Sequence, residues 1–120
     1  MSELHESWES LPAEARDLHR ALTSLKEEIE AIDWYTQRVA LCSDQELLGL
    51  LAHNRDEEIE HACMALEWLR KNMPPWDEVL KKYLFHEGSV LTSEEEVPSK
   101  TPSVERRSDP ASLGIGSLRN

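Results

Sequence analysis

No apolar run in this sequence approaches the ~18 residues a helix needs to cross a bilayer, so a membrane span is excluded. Near the start there is no basic-then-apolar segment of the kind that directs secretion, and a cytoplasmic protein is the expectation. Cysteines number only two, Cys42 and Cys63, and they do not form a Cys-x-x-Cys pair, which points to reduced thiols. Cys63 falls in an apolar helical stretch and is expected to be a small buried residue. Basic residues are also short, 13 against 24 acidic ones, for a net charge of −11. Such a chain repels nucleic-acid phosphates and anionic lipid heads, which excludes both as partners, and it attracts cations. Large apolar residues thin out over the last third, leaving fewer than about 90 residues for a core, a size that is marginal as a monomer. Oligomerisation is the expected remedy.

What is present is helical periodicity, with no β-alternation anywhere. Ser10-Leu11-Pro12 has the form of a helix entrance, a capping hydroxyl followed by a proline in the first turn. Ala15, Leu18, Leu22, Leu25, Ile29, Ile32 and Val39 then recur at three-and-four spacing, interrupted by Thr36, and predict a buried seam on a helix over about 12–40. Ser43-Asp44-Gln45-Glu46 reads as a capping box opening a second helix. Its buried face carries Leu47, Leu51, Glu58, Ala62, Ala65 and Leu69, and Pro74-Pro75 ends it. So short a connection makes the two helices an antiparallel hairpin. Trp76, Val79, Leu80 and Tyr83 mark a shorter third helix opening at Pro75, with Gly88 as its stop. The fold class is all-α. Residues 10–88 form the helical domain after a flexible tail over 1–9, and a Ser/Thr/Pro/Glu/Arg-rich linker follows over 89–111. Apolar residues return within 112–119 as Leu113, Ile115 and Leu118, in the manner of anchors for a groove on another molecule.

The carboxylates carry the chemistry. Glu28 shares a stripe with Ala21, Leu25, Ile32 and Tyr35, and Glu58 lines up with Leu51, Ala62, Ala65 and Leu69. His61 lies one turn beyond Glu58 on the same side. A bare carboxylate on such a face costs several kcal/mol or takes up a proton. A divalent cation removes that cost, and oxygen and nitrogen donors without thiolate suit Fe or Mn. Ferritin-like di-iron bundles use one Glu from each of two helices and Glu-x-x-His from each of two others. One inward Glu and one Glu58-x-x-His61 are half of that set, which two copies on a two-fold axis complete. Pairing of Glu28 or Glu58 with Lys26 or Arg55 is the alternative, and it describes a non-catalytic helical adaptor dimer. A dimer that binds Mn or Zn without oxidase activity is another. Glu27, Glu30 and Trp34 form a second lane, either a solvated face or a cation vestibule at the axis. His53, Glu57 and Glu60 read as a solvated face or a weak surface metal site.

Glu27-Glu28-Ile29-Glu30-Ala31-Ile32-Asp33-Trp34-Tyr35 and Leu51-Ala52-His53-Asn54-Arg55-Asp56-Glu57-Glu58-Ile59-Glu60-His61-Ala62 resemble the encapsulated ferritins, ferritin-like proteins packed inside encapsulin shells. Leu66-Glu67-Trp68-Leu69-Arg70 and Tyr83 to Gly88 extend the resemblance, and Ser112 to Arg119 is similar to an encapsulin targeting peptide. The resemblance implies a hairpin that becomes a four-helix bundle only on dimerisation, with five dimers in a ring. It implies a ferroxidase that turns Fe(II) into Fe(III) with dioxygen inside an encapsulin nanocompartment. Its ferroxidase ligands would be Glu28, Glu58 and His61, with Tyr35 close by. Glu27, Glu30 and Trp34 would be the metal-access site, open to calcium or another divalent cation, and His53, Glu57 and Glu60 a peripheral metal site.

Overall fold

A computed structural model of the chain describes residues 3–91. The linker beyond 91 and the 112–119 segment lie outside the described residues. Those that are described form a 3-10 turn, Trp8–Ser10, and three α-helices, α1 (Ala13–Leu41), α2 (Gln45–Asn72) and α3 (Pro74–Tyr83), with no strand among them. The all-α expectation of a hairpin and a short third helix holds. No helix among the described residues is long and apolar enough to cross a membrane.

The expected capping hydroxyl of Ser10 is not used. Its amide instead closes the 3-10 turn onto Ser7 O at 3.0 Å, and α1 starts from Pro12, whose carbonyl accepts from Arg16 N at 3.0 Å. The proline ring sets φ at −68° with extended ψ, the conformation a cap residue needs. At α2 the cap is Asp44 rather than Ser43: its Oδ2 accepts from Leu47 N at 2.8 Å. A carboxylate there satisfies an orphan amide and meets the positive end of the helix dipole.

α1 and α2 pack along one another through a connection of only residues 42–44. Glu14, Asp17 and Leu18 near the start of α1 line one cavity, of about 240 Å³, with Trp68 and Asn72 near the end of α2, so the helices are antiparallel. Ala21, Leu25, Glu28, Ile32, Tyr35 and Val39 are half-buried on α1. Leu51, Glu58, Ala62 and Ala65 are half-buried on α2, and Leu69 is wholly buried. The expected seam is wider than one partner helix covers. Leu22, Ile29 and Leu47, expected inside, are exposed, as are Leu50, Met64 and Trp68. Cys63, also expected inside, is exposed too. Two helices bury one stripe each; the flanks of both stripes stay open.

α3 belongs to a second unit that begins at Pro74. It opens at Pro74, one residue before the expected Pro75, and ends at Tyr83 instead of running to Gly88. The reversal falls on Phe85, with φ of 62°, three residues ahead of Gly88 at φ 92°.

Candidate metal centre

Glu28 projects from the middle of α1 towards α2, where Glu58 and His61 stand one turn apart. His61 Nδ1 lies 3.4 Å from Glu58 Oε1 and 3.7 Å from Glu28 Oε1. One donor atom from each of the three falls within 4.8 Å of the others, the one such group of three among the described residues. Donors held ~2.1 Å from a common ion are separated by about 3–4 Å, so the arrangement needs only small side-chain adjustments to hold one. Oxygen, oxygen and nitrogen, with no sulfur, are donors compatible with iron.

Glu28 and Glu58 are also in contact with each other. Their hydrogen bond pushes the Glu28 carboxyl above its ordinary 4.5, with desolvation and repulsion from Glu58 adding to the effect. Glu58 is held below 4.5, first by the hydrogen bond it accepts from Glu28 and then by His61. Without metal, one proton does for the pair what a cation would do better, since an ion satisfies both carboxylates as anions. The side chains of Glu28 and Glu58 are 27% and 25% exposed and that of His61 47%. In a single chain, the cluster faces outward between open apolar flanks.

Lysine or arginine neutralisation is not what the fold builds. Arg55 Nε donates to Asp56 Oδ1 at 3.2 Å, and Lys26 Nζ to Glu3 Oε1 at 2.8 Å. Tyr35 is half-buried two turns beyond Glu28, and Arg38 lies over its ring at 5.0 Å. Glu27, Glu30 and Trp34 are exposed on α1 and are not gathered into a group of donors within one chain. His53 Nε2 and Glu57 Oε2 approach to 3.6 Å in the open, and Glu60 does not join them as a third donor. Sequence reasoning missed Glu3 and Trp8, which lie in the stretch expected to be a flexible tail; a lone tryptophan there was the available signal.

Residues 3–87 match the sequence profile of a family described as EncFtn-like. A "Ferritin-like protein" of Thermotoga maritima is 55% identical over 92 residues, 77% of this chain and 81% of its own length. An "Encapsulated ferritin-like protein" of Rhodospirillum rubrum is 48% identical over 124 aligned positions, 96% of this chain and 86% of the relative. Among solved structures, the crystal structure of protein ne0167 from Nitrosomonas europaea superposes with a TM-score of 0.71 at 52% identity, covering 73% of this chain and 97% of that one.

Proposed function

This chain belongs to the EncFtn-like family, and from that footing we propose that it is a ferroxidase, oxidising Fe(II) with dioxygen at a centre shared by two copies. One observation carries the reading: two carboxylates and an imidazole converge within 4.8 Å on the outward face of an incomplete bundle. A second copy on a two-fold axis supplies two Glu28, two Glu58 and two His61, and it covers apolar flanks such as Leu50 and Met64. Burying side chains of that kind is worth about 1.5–3 kcal/mol each, which supports a bundle of four helices made by two chains. Five such dimers would form a ring.

Iron is the substrate. Glu28, Glu58 and His61 from each of two copies would hold a pair of Fe(II) ions, the carboxylates and imidazoles supplying oxygen and nitrogen donors while dioxygen takes up the electrons. Paired ions give up two electrons together, so dioxygen is spared a lone one-electron step and takes the pair up with protons. Carboxylate oxygens prefer the harder Fe(III), which favours the oxidised product. Tyr35, two turns along α1 from Glu28, would come close to the centre in the completed dimer. Glu27, Glu30 and Trp34 form the access lane, where calcium or another divalent cation can also sit, and His53, Glu57 and Glu60 are a peripheral site. The protein works as encapsulin cargo in the cytoplasm, with residues 112–119 docking to the shell that stores the mineral; the similarity to the encapsulated ferritin-like protein of Rhodospirillum rubrum supports that role.

Glu58→Ala tests the reading. Oxygen-electrode traces on Fe(II) addition should lose their fast phase, and unchanged turnover refutes the assignment. Retained metal binding without oxygen uptake in the unaltered chain identifies a non-catalytic metal-binding dimer instead.

A further inference from the structure

Glu3 and Lys26 are 23 positions apart, yet their side chains meet at 2.8 Å. That contact requires the segment ahead of α1 to fold back along it as a strap. Trp8 anchors the strap. The guanidinium groups of Arg16 and Arg20 lie 4.9 and 5.1 Å from its ring centroid, and His19 meets it edge-on at 6.1 Å. Arg16 Nε also donates to Trp8 O at 3.1 Å. Four contacts to one tryptophan, all from one stretch of helix, define a place for the strap and carry Glu3 up to Lys26.

Next along α1 stand Glu27 and Glu30. Lys26 and Glu30 are four residues apart, the spacing of a surface ion pair on a helix, although lysine before glutamate is the weaker order. Glu3 therefore competes with Glu30 for one ammonium; in this structure Glu3 takes its hydrogen bond at 2.8 Å, while Glu30 and Glu27 stay within its electrostatic reach. We propose that the N-terminal strap is a positioning element for the cation lane: Glu3, delivered by Trp8, keeps Lys26 off Glu30 so that Glu27 and Glu30 attract divalent ions. The inference rests on the reading of Glu27, Glu30 and Trp34 as an access lane.

Terbium(III) luminescence sensitised by tryptophan, titrated on the full chain at about 10 mM ionic strength, tests it. Glu27→Gln combined with Glu30→Gln should remove a large part of the signal. Glu3→Gln should weaken apparent affinity about two- to threefold, the scale set by an exposed ion pair. Trp8→Ala should do the same while leaving every charge in place, with circular dichroism confirming the helices. In a Lys26→Gln background, Glu3→Gln should lose most of its effect. No response to the Glu27/Glu30 double change overturns the lane and the strap together. A response there, with Glu3→Gln and Trp8→Ala silent or Glu3→Gln equally effective without Lys26, overturns the strap alone.

Discussion

Glu28→Gln should stabilise the metal-free protein at neutral pH, and the size of the gain follows from the site. Glu28 and Glu58 present oxygens within 4.8 Å of each other. Two unit charges at that distance repel by about 0.9 kcal/mol in water and about 3.5 kcal/mol at an effective dielectric constant of 20. Both carboxylates are open enough to solvent that screening keeps their repulsion at the weak end of that range. Glu28 titrates above 4.5 in the folded chain. The stability its neutral form contributes is complete below about pH 4.5 and is lost as pH rises through the raised value. Glutamine keeps a neutral donor to Glu58 at every pH. With chelator present and protein concentration fixed, thermal melts of the two proteins should coincide near pH 4. At pH 7 the variant should melt higher by about 4–8 °C. Added Mn(II) should reverse the order, because the unaltered site gains a ligand charge that glutamine cannot offer. Equal melting temperatures at pH 7, or an equal gap at pH 4, would show that the two carboxylates do not share a proton.

Leu69 is the one fully buried side chain among the described residues, and Leu69→Ala should cost about 2–5 kcal/mol, seen as loss of helical signal at lower urea. Asp44→Ala removes the acceptor for Leu47 N and should cost about 1 kcal/mol by the same measurement, whereas Ser43→Ala should be nearly silent. Deleting residues 112–120 should abolish co-purification with an encapsulin shell while leaving iron oxidation in solution unchanged; truncated protein still found inside shells would remove the anchor from the scheme.

Much of the hairpin was legible because its signals are local. Three-and-four spacing puts Glu28 among Ala21, Leu25 and Ile32, and Glu58 on the side of Ala62 and Leu69, before any partner helix is known. Pro74 ends α2 for a reason that lies in its own ring. Other details turned on competition between near-equal local choices. Ser43 and Asp44 are both good caps, and the carboxylate one position later won. Gly88 is the easier left-handed residue, yet the helix stopped at Tyr83 and the turn fell on Phe85. Cys63 and Ile29 read as interior because an apolar stripe says that something covers it, without saying whether the same chain does.

The order of residues alone determined where helices run and which faces are oily, since backbone hydrogen bonding and side-chain periodicity act within a few positions. Tertiary structure decided which atoms meet. Glu28 meets Glu58 and His61 across two helices, and Lys26 turns to Glu3 rather than to Glu30 four residues away. Both choices depend on distances between segments remote in the chain, which no local pattern encodes.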